Sequence, residues 1–340
     1  MKKRIWIPLL IIVVLLIAYL VGPMPPNPTY SEAWPELPSS LTNLEKYIKI
    51  TEAKHAVRED NQARIIWHNN TPQLSEYSFV YLHGFAGSYR DGYPLNVSVA
   101  DTFNANIYLS RWAGHGLKPS VALKSFSAEA AWESAKEALA IGQRIGRKVI
   151  IMSTSTGGTL ALKLASTYPD SVFALINISP NIRDDAFGAF LLNSPWGYEI
   201  AHLAALGEHR KVRHEKEIAA QYWDTIYPAE ALLNLEVLVT STMHAETFNK
   251  INCPMITLYY YKNFLLEDEH VEVDRYPEVY QALSTPDSLL RLIALGEPET
   301  HFIGSAIKSK NWRGAQQEII LFCRRVLGMP VLADSASQAL

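Results

Sequence analysis

Six consecutive residues, Ser153-Thr154-Ser155-Thr156-Gly157-Gly158, have the types and spacing from which covalent acyl chemistry is built. They follow an apolar run, Val149 to Met152, and open a helical stretch. A serine on a sharp strand-to-helix turn, the G-x-S-x-G elbow, needs small residues two before and two after it. Ser153 and Gly157 hold those places, so a serine stands where the pattern has its first glycine and the small bulk is kept. A cluster of this kind is often only a turn; its placement between strand and helix makes Ser155 the candidate nucleophile. The Thr156 amide then lies near a helix N-terminus, where partial positive charge stabilises an oxyanion. A second donor is expected from the loop after an earlier strand. His83-Gly84-Phe85-Ala86-Gly87 occupies that place, with the Phe85 N–H as candidate and the glycines allowing a close turn. His83 reads as a structural hydrogen-bonding residue.

A serine is unreactive near neutrality unless a histidine takes its proton and a carboxylate orients that histidine. Of ten histidines, His301 follows the last apolar strand and so belongs at the same edge as Ser155. The loop after Met255 to Tyr261 offers Glu267, Asp268, Glu269 and Asp274. Asp268 is the preferred acid, because Val271 three residues on completes a D-x-x-V arrangement; Glu267 is the runner-up. The chain order is Ser155, Asp268, His301. There is no G-x-x-x-x-G-K-[ST] loop, no G-x-G-x-x-G after the first strand and no H-E-x-x-H. His209 and His214 lie in a charged stretch without a partnering cysteine and read as surface residues, so no metal or organic cofactor is expected.

The elements that must position these groups alternate between short β-rich runs and helical stretches. Leu44 to Thr51 and Arg64 to His68 read as opening strands, antiparallel to each other. Phe79 to Leu82, Ile107 to Leu109, Val149 to Met152, Val172 to Ile178, Met255 to Tyr261 and Leu289 to Leu295 read as central strands, since continuous apolar runs suit parallel strands covered on both faces. Ala128 to Arg147, with Ser127 as N-cap, Gly158 to Thr167, closed by Pro169, and Trp312 to Leu327 read as helices. The expected fold is α/β, a doubly wound, mostly parallel sheet. About seventy residues between Ser179-Pro180 and Cys253-Pro254 exceed what a crossover needs. They carry Phe187, Phe190, Trp196, Tyr198, Tyr222, Trp223 and Tyr227 and read as a helical lid insertion, its aromatics forming the lid's own core or touching substrate. The charged run Glu208 to Lys216 reads as a solvated face.

These motifs together resemble the α/β-hydrolase superfamily, in particular its monoglyceride-lipase-like and serine-aminopeptidase-type branch. The resemblance spans roughly residues 44 to 327 and rests on His83-Gly84-Phe85, Gly114-His115-Gly116, the elbow, and Gly296 through His301. It implies a serine hydrolase cleaving carboxylic esters, with small acyl esters or lipid-like molecules as substrates. A peptidase or amidase, or an idle binding protein that kept the fold, are the alternatives. The Gly114–Gly116 turn is structural in that family, which leaves His115 outside the catalytic set. Two departures stand out. The branch has Gly-x-x-Asp soon after the strand preceding the acid, whereas Tyr261 to Asp268 has no glycine and several extra residues. Arg111-Trp112 replaces the usual Asp and Arg ahead of the Gly-His-Gly turn.

With 31 Lys+Arg against 34 Asp+Glu, the chain lacks the broad basic surface of a nucleic-acid binder. Its apolar residues are concentrated in Ile5 to Val21, interrupted only by Pro8 and preceded by Lys2, Lys3 and Arg4. Residues 1–22 are expected to form a transmembrane helix, an uncleaved single-pass anchor with a cytoplasmic N-terminus and the catalytic part on the non-cytoplasmic side; a cleaved signal, giving a secreted protein, is the alternative. Residues 23–40 are expected to be a stiff Pro-rich spacer. Residues 41–181 and 252–328 are expected to form the core, 182–251 the lid and 329–340 a polar tail. Cys253 and Cys323 read as two buried free thiols.

Overall fold

The computed structural model describes residues 3–330, with side chains from Trp6 onward. The basic cluster's side chains and residues 331–340 of the expected tail lie outside the described residues; Met329, assigned to that tail, is buried. The strands in chain order are β1 (Arg64–Ile66), β2 (Ser75–Leu82), β3 (Asn106–Leu109), β4 (Gly146–Thr154), β5 (Ala174–Ile178), β6 (His209–Lys211), β7 (Ile226–Pro228), β8 (Met255–Asn263), β9 (Leu266–Glu267) and β10 (Leu290–Leu295). The helices are α1 (Lys3–Leu20), α2 (Leu41–Glu52), α3 (Leu95–Thr102), α4 (Ala128–Ile145), α5 (Thr156–Thr167), α6 (Gly197–Ala205), α7 (Ala219–Tyr222), α8 (Glu230–Thr242), α9 (Ala245–Phe248), α10 (Tyr276–Ala282) and α11 (Trp312–Arg325).

The main sheet runs β1-β3-β2-β4-β5-β8-β10, with β9 hairpinned onto β8. From β3 to β10 every neighbouring pair is parallel, while β1 pairs antiparallel with β3. Alternate side chains enter opposite layers, as a period of two requires. Val80 and Leu82 pack among Trp132, Leu139 and Leu164 on the α4–α5 side. Phe79 and Tyr81 pack among Val99, Ile319 and Phe322 on the α3–α11 side. The strands β2, β4 and β5 are buried on both faces, which explains their continuous apolar sequence.

Leu44 to Thr51 is not a strand but part of α2. Leu44 and Ile48, four apart, bury one face, and the Ser40 hydroxyl caps the helix by accepting the Asn43 N–H at 3.2 Å. Residues 23–40 do not stand off from the core. The Lys136 ammonium, buried within α4, donates to the carbonyls of Ser31 (2.8 Å) and Ala33 (2.9 Å), and the Trp132 indole N–H donates to Ser31 at 2.7 Å. Tyr30 bonds Ser241 at 2.6 Å, so the proline-rich stretch is a strap across α4 and α8. Its prolines keep it extended; buried donors waiting on α4 hold it down.

Among the described residues no helix is long and apolar enough to cross a membrane. The expected transmembrane helix is thus not found as such. The apolar run does form α1, but its 18 residues give only about 27 Å at a rise of about 1.5 Å, against a hydrocarbon layer of about 30 Å. Its side chains from Trp6 to Leu20 are nearly all exposed. Residues 182–251 hold α6, α7 and α8 together with an antiparallel β6–β7 pair, so the insertion is not purely helical. Both cysteines are buried free thiols.

Candidate active site

Ser155 sits between β4 and α5 with φ 55° and ψ −122°, a left-handed backbone that L residues adopt only when their surroundings enforce it. The enforcing contacts are all main chain. The Ser155 N–H donates to Ile178 O (3.0 Å), and its carbonyl accepts from Gly158 (2.7 Å) and Asn181 (2.9 Å). Gly157 is obligatory, because a β-carbon there would lie 2.0 Å from Leu82 O. Gly158 is equally confined, 2.3 Å from Pro180 Cβ on the same construction. Ser153 departs from glycine without penalty, since its hydroxyl donates to Asn177 Oδ1, its register partner on β5, at 2.8 Å.

The loop after β2 lies directly against this turn. A β-carbon on Gly84 would sit 3.1 Å from Ser155 Cβ. No backbone carbonyl takes the N–H of Phe85 or of Thr156 among the described residues, so both remain free to meet a negative oxygen. His83 holds the loop from behind. Its Nδ1–H donates to Gly84 O at 2.9 Å, while Nε2 accepts the Trp112 N–H at 3.4 Å. Burial, opposed by the bond to Gly84 and aided by Arg111, lowers its pKa to about 4, which keeps the ring neutral and in that tautomer. His115 is fully buried beside it, with Gly114 and Gly116 in left-handed turns (φ 79° and 64°). Arg111 is explained by α2: it grips the Glu52 carboxylate with two bonds of 2.7 and 2.8 Å.

His301 and Asp268 are 4% and 2% exposed and paired, Nδ1–H donating to Oδ2 at 2.7 Å and Oδ1 at 2.9 Å. A proton held at Nδ1 leaves Nε2 unprotonated, as a general base must be. Burial pushes the Asp268 carboxyl up, but the His301 charge and the bonds from His301 and the His270 N–H outweigh it and bring it below its ordinary value. Glu267 instead lies on β9, paired with Tyr261. The extra residues ahead of the acid are therefore a hairpin: β8 runs past the sheet to Asn263, turns through Phe264-Leu265 and returns to deliver Asp268. Ser155 follows β4 and His301 follows β10, at the carboxyl ends of parallel strands. Both are nearly buried; Ser155 is 9% exposed.

Two further groups of this region escaped the sequence reading. His270 packs edge-on against the His301 ring, centroids 4.9 Å apart, and burial with the His301 charge lowers it to about 4. Asp91 is buried beside Gly84, where the His301 charge works against the rise that burial gives its carboxyl. Neither falls in a recognisable motif. The insertion closes over this loop: the Asp224 N–H donates to Ala86 O at 2.7 Å, and Tyr227 and Phe85 meet edge-to-face at 5.5 Å. Phe187, Phe190, Leu203 and Leu206 of the same insertion are exposed, whereas Tyr222, Trp223 and Tyr227 form its buried side.

Within the insertion, burial and the Asp184 charge raise the Glu236 carboxyl to about 7, with Arg183 opposing. The unfolded chain releases this proton at its ordinary value, so folding stability falls as pH rises from about 4.5 to about 7. Glu236→Gln is expected to raise Tm above the parent's at pH 8 and to match it at pH 4; identical melting curves at both would contradict the assignment.

Among the described residues no group of three or more His, Cys, Asp or Glu is arranged to hold a metal ion. A cleft of about 380 Å³ lined by Lys148, Phe173, Cys253 and Pro254 opens at the amino ends of β4 and β5, away from Ser155, and contains none of the candidate residues.

No protein-family model and no curated protein matches the chain. Solved structures do. The chain is similar to the metagenome-derived lipolytic enzymes LipS and LipT (16% identity, 79% of this chain and 99% of that one, TM-score 0.60). It is also similar to Est1E from Butyrivibrio proteoclasticus with bound ferulic acid (15%, 78% and 95%, TM-score 0.52). A third likeness is to the monoacylglycerol lipase of Paleococcus ferrophilus (12%, 76% and 98%, TM-score 0.51). At these identities the likeness is one of architecture: the chain has the α/β-hydrolase fold.

Proposed function

We propose that the protein is a serine hydrolase of the monoglyceride-lipase-like branch, cleaving carboxylic esters of acyl or lipid-like substrates through an acyl-enzyme on Ser155. The observation that carries this reading is the buried Asp268–His301 pair sharing a sheet edge with a serine held at positive φ beside two unclaimed N–H groups. His301 takes the Ser155 proton as the oxygen attacks the carbonyl carbon, and the Phe85 and Thr156 N–H groups receive the resulting oxyanion. His301 then passes its proton to the leaving alcohol. Water, deprotonated by the same imidazole, releases the acid, while Asp268 offsets the transient imidazolium charge. The lipolytic and esterase names of the structural neighbours favour esters over amides.

The insertion acts as the lid, a reading supported by its contacts with Ala86 and Phe85 on the loop beside Ser155. The apolar helix α1, whose side chains are nearly all exposed, attaches the enzyme to a membrane surface without crossing it. Two contacts support that arrangement: Tyr19 bonds Ser194 at 2.9 Å, and the Trp196 indole bonds Ala18 O at 3.1 Å, so α1 leaves the molecule beside exposed apolar groups of the lid. The test uses the full chain with phospholipid vesicles and p-nitrophenyl esters from acetate to decanoate. Vesicle-bound protein hydrolysing the series is expected. No hydrolysis at any chain length contradicts the activity, and protein that stays unbound contradicts the attachment.

A further inference from the structure

Asp91 closes the short 3₁₀ turn Tyr89–Asp91 and is wholly buried, yet the proposed reaction gives it no role. One carboxylate oxygen, Oδ2, accepts the Gly84 N–H at 2.6 Å. The other accepts the hydroxyl of Tyr81, which itself bonds Thr154 Oγ1 at 2.8 Å. Thr154 is the residue before Ser155, so one buried network joins the loop after β2 to the elbow. The loop is wrapped around the carboxylate: β-carbons placed on Gly84 and Gly87 would lie 3.2 and 3.1 Å from Oδ2.

We infer that Asp91 is a positioning residue for the oxyanion hole, fixing the Gly84–Phe85 peptide so that the Phe85 N–H faces the reacting carbonyl. A trans peptide is planar, so its N–H points opposite to its C=O. The Gly84 C=O is turned away from the site by two donors, His83 Nδ1–H at 2.9 Å and Gly87 N–H at 3.2 Å. Those donors act on one side of Gly84; Asp91 anchors the other, at its N–H. With both ends held, the Phe85 N–H has a single direction. Without the carboxylate, Gly84, which has no β-carbon to restrict it, is free to rotate and carry the Phe85 N–H off target. Burial raises the Asp91 carboxyl to about 7, against the Tyr81 hydroxyl, the Gly84 N–H and the His301 charge, each of which favours the carboxylate. A carboxyl kept at that burial is costly to the fold, and its bonding partners are the two segments that form the site.

This inference rests on the acyl-transfer reading of Ser155. Asp91→Ala is expected to lower kcat by about 100-fold, the scale of losing one oxyanion donor, with KM nearly unchanged. Affinity for a trifluoromethyl ketone, which forms a tetrahedral oxyanion on the serine, should weaken by the same factor as kcat/KM. Asp91→Asn keeps an acceptor for Gly84 and should recover most of both. Tyr81→Phe, which removes one partner and leaves the carboxylate, should lower the same two quantities in parallel by a few-fold, and it decides the matter if the alanine variant fails to fold. Unchanged kcat, or a fall in kcat without loss of ketone affinity, overturns the role given to Asp91. Retained activity in Ser155→Ala would instead overturn the reading on which it rests.

Discussion

Replacing Ser155 with alanine is expected to reduce kcat/KM on a p-nitrophenyl ester by about 10⁴- to 10⁶-fold, with Tm close to the parent's. The size follows from the chemistry. Without the hydroxyl there is no covalent intermediate, and what remains is the contribution of the oxyanion donors and substrate binding. The unchanged Tm follows from the geometry. The elbow is held through the Ser155 N–H and carbonyl and through the close approach of Gly157 to Leu82 O, none of which the substitution touches. Substrate binding should also survive, so the loss belongs in kcat. A large fall in Tm would mean that the hydroxyl has a structural function, and the kinetic result would then carry no weight for the mechanism.

The second large effect is at Asp268. Asp268→Asn is expected to lower kcat by about 10⁴-fold, since an amide N–H₂ facing His301 Nδ1–H sets donor against donor and drives the proton to Nε2, where the base is lost. Glu267→Gln, one residue away, is expected to leave kcat within about 2-fold, because that side chain has no bond to His301 and any change is of the size of an ordinary surface substitution. Steady-state kinetics on the two variants distinguishes them. Equal losses, or a larger loss at Glu267, would remove Asp268 from its place.

The choice between those two acids shows what could be read from the sequence. The D-x-x-V spacing pointed to Asp268, and the hairpin then explained why the extra residues before it did no harm. The central strands were legible because their apolar runs are continuous, a consequence of burial on both faces. The turn that carries Ser155 and Thr156 and the loop that carries Phe85 were legible because a strand-to-helix elbow and a glycine-bearing loop leave local traces. Leu44 to Thr51 was misread because alternate apolar residues over a short span also satisfy a helix, and only the docking of Leu44 and Ile48 and the Ser40 cap settle it. The strap was misread for a different reason. Proline fixes extension, not distance from the core, and what holds residues 23–40 is a lysine and a tryptophan more than a hundred positions away. Asp91 and His270 left no trace at all, because their significance lies in contacts across separate strands.

The most direct test of the account is the intact mass of the full chain after reaction with a fluorophosphonate probe, followed by peptide mapping. The proposed mechanism predicts a gain of one phosphonyl group, mapped to Ser155 and absent from both Ser155→Ala and His301→Ala. Failure to label the parent chain, or labelling at another residue that persists in Ser155→Ala, would contradict the assignment of Ser155 as the nucleophile.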